Sequence, residues 1–282
     1  MRSRRIAADV LIYAFLILLC IVWLIPFFWL FMQSFRAEPG QFIETFLPKN
    51  YTLDNYIRLF RETNVINFAR MFANTFVIAV CTCILSTFFV LSVSYCTSRL
   101  KFRFRRPYMN TALVLNLFPG FMSMIAVYFI LKALGLTEGD LIPIALIIVF
   151  SAGAGTQFYV MKGYMDTIPK ALDEAAAIDG CTRWQIFTKI TLPLCKPMIV
   201  YQVITSFMAP WVDFIFAKII VRAEAKYYTV SIGLWSMLER EYVWDWYTRF
   251  CAGAVLVSVP VSILFIVTQK YYREAMAGSV KG

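Results

Sequence analysis

A carboxylate beside two alanines stands in a polar stretch between two apolar ones. Glu174-Ala175-Ala176 is followed after three residues by Gly180, and after nine more by Ile190-Thr191-Leu192-Pro193. Alanines let another surface approach closely, and a carboxylate can hold that surface through a directional charged contact. The pattern therefore favours docking to a soluble partner over bond-breaking chemistry. The alternative is a pair of helices that lie at the lipid interface and cap a membrane bundle.

Groups that catalyse reactions or bind metals are scarce. The chain contains no histidine, so the commonest general base and metal ligand is missing. Cys81 and Cys83 would point about 200° apart on a helix and could not share a metal. Seven cysteines, an odd number, argue against a disulfide framework. We expect no catalytic residue, no metal and no cofactor.

The composition requires a lipid environment. Of 282 residues, 60% are hydrophobic and only 16% are charged. Six stretches approach or exceed the roughly 20 apolar residues that cross a bilayer, so we predict an all-α integral membrane protein with six transmembrane helices. The first is too long for the core of a signal peptide and is expected to remain in place. The predicted spans are 10–32, 75–96, 109–134, 141–159, 198–220 and 250–268.

The distribution of Lys and Arg predicts the orientation, because short cytoplasmic segments retain positive charge. With the N-terminus inside, six spans place 97–108, 160–197 and the C-terminus on the same side. That side holds 16 Lys and Arg against 6 acidic residues, whereas the rest of the chain holds 11 of each. We expect both termini in the cytoplasm. The net charge of +10 then reflects topology and does not indicate nucleic-acid binding.

The cytoplasmic segment 160–197 is predicted to begin with a helix of about 11 residues. A helix start is indicated by Thr167 or Ile168 followed by Pro169, and Asp173 and Glu174 lie early enough to favour the positive end of the helix dipole. Gly180 is typical of a left-handed terminator. The helix would present one small apolar face, formed by Leu172, Ala175 and Ala176.

A second helix is predicted directly after the first. Thr182-Arg183-Trp184-Gln185 has the pattern of a capping box. The helix should continue through Ile190 until Leu192-Pro193 stops it, where the next span begins.

Two outer segments complete the chain. The segment 33–74 contains residues at helical spacing that predict a surface helix against the bundle, namely Leu53, Tyr56, Ile57 and Phe60. The segment 221–247 carries tryptophans that suit an interfacial belt: Trp235, Trp244 and Trp246. Their expected role is anchoring, with contact to a partner as the alternative.

The spacing around Glu174 resembles, without a mismatch, the signature loop of ABC importer membrane subunits. The flanking sequences 168–180 and 190–197 look like carbohydrate-uptake permeases of the maltose-permease type. Three further matches are Tyr51-Thr52-Leu53-Asp54-Asn55-Tyr56, Leu134-Gly135-Leu136 and Trp211-Val212-Asp213-Phe214. The likeness covers nearly the whole chain, and 277–282 resembles the tail of the smaller maltose-permease subunit.

This resemblance implies a type I ABC importer permease fold in a bacterial cell membrane. Such a subunit has no chemistry of its own and pairs with a second permease, two ATPases and an extracytoplasmic sugar-binding protein. In the family, ATP-driven closure acts through the Glu-Ala-Ala helix, tilts the membrane helices and turns the cavity outward. The implied ATPase-coupling residues are Leu172, Glu174, Ala175, Ala176, Asp179 and Gly180. The implied ATPase-contacting tail residues are Gly278, Ser279, Lys281 and Gly282.

The resemblance also implies three parts of the chain. Residues 1–69 would form an N-terminal transmembrane helix and an outer amphipathic segment. Residues 70–272 would form the transporter core, including the coupling loop 160–197. Residues 273–282 would be a cytoplasmic tail.

Polar, aromatic and helix-breaking residues within the spans are candidates for the translocation path. Polar side chains could bind sugar hydroxyls, although they also join membrane helices to one another. Asp213 is functional by default in a span, or else an interfacial carboxylate paired with Lys218 or Arg222. The complete candidate set is Asn116, Pro119, Tyr128, Gln157, Trp211 and Asp213.

The sequence leaves the identity of the transported solute open. The tail favours maltose or maltodextrin, while other oligosaccharides, glycerol phosphate and polyols are alternatives. An ion-coupled secondary transporter would need its own coupling-ion site, for which Asp213 alone is thin support. A membrane enzyme would need a nucleophile and a base that this sequence does not offer.

Overall fold

A computed structural model describes residues 2–41, 45–117, 120–152 and 154–279, with side chains for 9–41, 45–117, 120, 122–152 and 157–271. Within these ranges the chain forms helices and a single isolated β-bridge between Arg36 and Tyr51, so the all-α prediction is confirmed. The helices are α1 (Arg2–Ser34), α2 (Asp54–Arg61), α3 (Phe68–Arg99), α4 (Arg105–Asn116), α5 (Gly120–Ala133), α6 (Ile142–Ala152), α7 (Ala154–Thr167), α8 (Lys170–Ile178), α9 (Arg183–Ile186), α10 (Leu192–Leu194), α11 (Lys196–Val212), α12 (Ile215–Val221), α13 (Val230–Met237) and α14 (Val243–Ser279).

Three of the predicted spans are continuous helices long enough to cross a bilayer. Their apolar parts are Asp9–Ser34, Phe68–Arg99 and Val243–Tyr271, of 26, 32 and 29 residues. At 1.5 Å per residue the shortest extends about 39 Å, which exceeds the roughly 30 Å of hydrocarbon. These lengths agree with the first, second and last predicted spans.

The other three predicted spans are each interrupted or bent. The third ends as α4 at Asn116 and resumes as α5 at Gly120. The fourth is bent by 40° between Gly139–Ala152 and Gln157–Thr167. The fifth ends as α11 at Val212, where Asp213 is extended, and resumes as α12 at Ile215, whose first turn donates the Ala217 N–H to the Asp213 carboxylate at 2.9 Å. Counting each bent pair as one gives up to five spans over the described residues, so six stays a prediction.

One compact unit comprises Met1–Ala69 and Gly233–Val259. The predicted surface helix is confirmed as α2, but of its predicted packing face only Tyr56 is partly buried, with its hydroxyl 2.7 Å from Ser34 Oγ. Leu53, Ile57 and Phe60 are exposed, whereas Asn55 and Leu59 are buried. A polar residue therefore fixes the rotation of this helix.

Asn55 joins three segments of this unit. Its side-chain amide donates to the carbonyl oxygens of Ser34 at 3.0 Å and Arg36 at 2.7 Å. Its oxygen accepts a 2.9 Å hydrogen bond from the Thr248 hydroxyl on α14. Nearby, Trp246 is buried beneath the Arg249 guanidinium, so its predicted place in an interfacial belt is wrong, whereas Trp235 and Trp244 are exposed.

The second unit comprises Arg70–Ile232 and Pro260–Gly282. Its apolar core is formed by residues of α3, α5, α6 and α12, including Ile78, Leu131, Ile142, Leu146 and Ile220. In the same unit, Gln202 of α11 donates to the Ser86 hydroxyl of α3 at 3.0 Å. On the loop after α12, the hydrogen bond to Asp140 raises the pKa of the Lys226 ammonium. The unit thus combines an apolar core with polar links between helices.

The Asn55 contacts lead to a stability prediction. Asn55→Ala removes three hydrogen bonds and leaves buried polar groups unpaired, which should lower the free energy of unfolding by about 2–4 kcal/mol. The midpoint of thermal unfolding in detergent micelles measures the loss. Asp54→Ala on the exposed side of α2 is the control and should cost less than about 1 kcal/mol. Equal midpoints for the two variants would contradict the role of Asn55.

Candidate functional site

The first predicted cytoplasmic helix is confirmed as α8, which is nine residues long instead of about 11. It begins directly after Pro169, in agreement with the predicted start. The Thr167 hydroxyl donates to the Tyr164 carbonyl oxygen at 2.7 Å, so it does not cap α8. Asp173 lies in the first turn, near the positive end of the helix dipole.

The end of α8 is fixed by Gly180, as predicted. Gly180 has a φ of +84°, a conformation that side chains disfavour. The N–H of Cys181 donates to the Ala176 oxygen at 2.9 Å, and that of Gly180 donates to Ala177 at 3.2 Å. These two hydrogen bonds form a Schellman motif. A Cβ atom added to Gly180 would meet no described atom within 4 Å, so the backbone angle alone requires glycine.

Only one of the three residues in the predicted apolar face of α8 is buried. Ala176 is buried, whereas Leu172 and Ala175 are exposed because they point away from the protein. Glu174 is exposed beside them, and Ile178 is 86% exposed at the end of the helix. The outward surface of α8 therefore includes a carboxylate, small side chains, Leu172 and the protruding Ile178, which the sequence prediction missed.

The predicted capping box before α9 is confirmed. The Thr182 hydroxyl accepts the Gln185 N–H at 3.3 Å, and the Gln185 side-chain oxygen accepts the Thr182 N–H at 2.8 Å. Leu192-Pro193 does not stop this second helix, contrary to prediction. A π-helical turn over Phe187–Thr191 precedes α10, and proline is tolerated in the first turn of such a segment. The break comes at Cys195, with a 79° bend into α11.

One turn at the end of α3 contacts the segment that contains α8, and the sequence prediction missed these contacts. Arg99 Nε lies 3.1 Å from Asp173 Oδ2, and Arg99 Nη2 donates to the Ile168 carbonyl oxygen at 3.0 Å. Ser98 donates a 2.6 Å hydrogen bond to Asp166 on α7. Because Arg99 was interpreted only as part of the positive charge that predicts the topology, its specific contacts were not predicted. The side chains of Tyr95, Ser98 and Arg99 are termed the α3 clasp below.

Comparison with known proteins identifies this arrangement. The family model described as "Binding-protein-dependent transport system inner membrane component" matches residues 90–276, which include α8, α9 and the α3 clasp. The chain belongs to this family.

Individual relatives of the permease match it over its full length. It is 32% identical to the galactooligosaccharides transport system permease protein GanQ of Bacillus subtilis, covering 100% of this chain and 99% of GanQ. It is also 32% identical to the maltodextrin transport system permease protein MdxG of the same organism, covering 99% of each. A crystal structure of a bacterial ABC transporter for alginate shares the fold, with a TM-score of 0.79 at 24% identity, covering 96% of this chain and 98% of that one.

The predicted path residues of the permease fall in separate places. Asn116 donates to the Ala112 oxygen of its own helix at 2.8 Å, so its amide is already occupied on that side. Gln157 Oε1 is buried and has no hydrogen-bond partner among the described residues, which makes it the stronger polar candidate. Tyr128 packs beside Phe129 on α5.

The remaining path candidates belong to the end of α11. Trp211 is buried with its ring 5.3 Å from that of Phe72. Asp213 caps α12. Its predicted alternative partners are engaged elsewhere, since Lys218 lies over the Tyr228 ring and Arg222 donates to the Thr137 oxygen. Asp213 is therefore accounted for by helix structure, and neither predicted pairing is observed among the described residues.

Some predicted residues cannot be placed. Gly278 and Ser279 lie at the end of α14, without described side chains. Pro119, Lys281 and Gly282 lie outside the described residues. Among the side chains that are described, no group of three or more acidic, Cys or His residues is placed to bind a metal.

The capping box leads to a testable prediction about local order. Thr182→Ala should weaken the start of α9 by about 1 kcal/mol, because the Gln185 N–H loses its side-chain acceptor. Amide hydrogen exchange of Gln185 should then accelerate by about fivefold. Thr182→Ser keeps the acceptor and should exchange at nearly the unmodified rate. Equal exchange rates for the alanine and serine variants would show that the capping box does not order α9.

Proposed function

We propose that this chain is the membrane-spanning permease subunit of an ATP-driven oligosaccharide importer, and that it forms half of the translocation pathway. The observation that carries the proposal is the outward surface of α8, where Glu174, Ala175 and Ile178 are exposed on a helix with a fixed end. A rigid helix with a free carboxylate is suited to transmit force from a docked protein. The chain itself would hydrolyse no ATP.

The proposed partners are a second homologous permease, two ATP-binding cassette subunits and an extracytoplasmic sugar-binding protein. The family description supports dependence on a binding protein. The proposed location is the bacterial cell membrane, with both termini and α8 on the cytoplasmic side. The excess of Lys and Arg on that side supports this orientation.

The proposed mechanism uses α8 as a lever. When two ATPase subunits close around ATP, their docking grooves move and carry the α8 helices with them. The movement would tilt the attached membrane helices and turn the cavity outward, toward the binding protein. Leu172, Asp179 and Gly180 would shape the docked end, and the tail residues Gly278 through Gly282 would add a second contact with the ATPases.

The proposed cargo is an oligosaccharide, with maltodextrin as the first candidate. The maltodextrin permease MdxG and the galactooligosaccharide permease GanQ are equally similar, so identity with them does not separate the two sugars. The tail likeness favours maltodextrin, and glycerol phosphate or polyols are further candidates. Titration calorimetry of the cognate binding protein should show tightest binding to a maltodextrin. Tighter binding of a galactooligosaccharide or a polyol would overturn the choice of cargo but leave the ATP-driven mechanism in place.

The competing class is an ion-coupled secondary transporter. Asp213 was the main residue in its favour, and the helix-capping contact gives this carboxylate a structural role. Uptake into cells that are depleted of ATP but keep a proton gradient separates the two classes. We expect uptake to stop, and unaffected uptake would exclude an ATP-driven importer.

Substitutions in α8 test coupling directly. Glu174→Lys reverses the exposed charge, and Gly180→Pro cannot adopt the positive φ of the Schellman motif. Each should lower sugar uptake by about tenfold or more while ATP hydrolysis continues and the amount of protein in the membrane is unchanged. Glu138→Lys, an exposed glutamate outside the coupling segment, is the matched control for the charge reversal. Unmodified transport by both α8 variants would rule out a coupling role for this helix.

A further inference from the structure

The α3 clasp contacts both cytoplasmic helices from a single helical turn. Tyr95, Ser98 and Arg99 are spaced so that they share one face of α3. Arg99 reaches α8 through Asp173, as described above. Tyr95 reaches the second helix, where its ring centroid lies 4.6 Å from that of Phe187. The end of α3 is therefore placed to sense the position of α8 and α9 together.

The ion pair between Arg99 and Asp173 is buried but incomplete. The Arg99 side chain is 4% exposed and that of Asp173 is 19% exposed. Nε and Nη1 of Arg99 and Oδ1 of Asp173 are buried and have no hydrogen-bond partner among the described residues, so the 3.1 Å approach of Nε to Oδ2 is an ion pair without an aligned hydrogen bond. A guanidinium and a carboxylate can form two parallel hydrogen bonds, which are stronger than a single approach. A small displacement of α8 relative to α3 would align the carboxylate with Nε–H and the second Nη2–H, which share one edge of the guanidinium, and would complete the pair.

Space for this displacement lies beside the pair. A cavity of about 350 Å³ is bounded by the end of α3 and by both cytoplasmic helices. Arg99 and Asp173 line it together with Ala177 and Arg183. Ala177 contributes only a small side chain to this cavity, so it does not block the approach of α8 to α3.

We propose that Arg99 is a positioning residue that makes α3 a second mechanical link to the ATPase, in addition to the segments that continue directly from α8 and α9. Movement of the docked α8 completes the Arg99–Asp173 pair, and the buried guanidinium then passes the movement to α3. The Ile168 carbonyl contact holds Arg99 in place during this change. The inference rests on the proposed function, because it assigns a route for the ATP-driven movement.

The test uses the assembled transporter in lipid vesicles, with uptake of labelled maltotriose and labelled galactotriose measured beside ATP hydrolysis. Arg99→Gln removes the charge and the two-pronged donor, so sugar transported per ATP hydrolysed should fall by about five- to tenfold. Arg99→Lys retains the charge and should restore part of the ratio. Arg103→Gln, a nearby exposed cation, is the matched control and should leave the ratio unchanged.

A double-variant comparison tests the pair itself. Asp173→Asn should reproduce the loss caused by Arg99→Gln, and the double variant should be no worse than either one, because both remove the same interaction. Additive losses, or an unchanged ratio in Arg99→Gln, would overturn the inference. If Arg99→Gln lowers the amount of assembled transporter, Arg99→Lys decides: a reduced ratio at normal abundance supports the positioning role, and an unmodified ratio rejects it.

The outcomes separate this inference from the proposed function. Loss of coupling in Glu174→Lys with full coupling in Arg99→Gln would reject the link through α3 and retain the importer. Sugar uptake that continues without ATP would reject the importer itself.

Discussion

The absence of water in a bilayer requires every backbone N–H and C=O group to find a partner within the protein. Long helices meet this requirement, and most of the described chain is helical. The requirement becomes harder to satisfy where a helix ends near the membrane. At these points the chain uses local devices, such as the Asp213 carboxylate at the start of α12 and the Asn55 amide beside Ser34 and Arg36.

The segment around α8 satisfies its backbone groups in the same way, within a short stretch of chain. A Schellman motif at Gly180 satisfies the carbonyl groups at the end of α8, and the capping box at Thr182 satisfies the N–H groups at the start of α9. The Ile168 carbonyl before α8 is met by Arg99. Few residues separate these contacts, so the two short helices are held at defined angles. A segment ordered in this way can transmit displacement, whereas a loose loop would absorb it.

Features set by neighbouring residues were predictable from the sequence. Gly180 and Thr182-Arg183-Trp184-Gln185 act through contacts within a few positions, and the structure agrees with both predictions. Features set by distant residues were not predictable. The rotation of α2 depends on Asn55 meeting Thr248, and the position of α8 depends on Arg99 meeting Asp173. In both cases polar side chains far apart in the sequence decide which face of a short helix is buried.

The residues that would bind the cargo are less well defined than the contacts around α8. The path candidates Asn116 and Gln157 are ordinary polar side chains in apolar helices, and their types are equally suited to bind sugars or to join helices. The proposed docking surface of α8 is better defined, because its exposed residues and its fixed ends follow from named contacts. The central claim therefore concerns α8 and its ATPase partner.

Photocrosslinking from position 178 tests that claim most directly, since Ile178 protrudes from the end of α8 and is 86% exposed. A photoreactive phenylalanine analogue would replace Ile178 in the complete transporter, with the same analogue at the exposed Phe129 of α5 as the control. We predict a covalent adduct with the ATPase subunit from position 178 only, with a yield that changes when ATP is trapped by vanadate. Adducts with lipid alone from position 178, in a preparation that retains its ATPase subunits, would contradict the proposed docking.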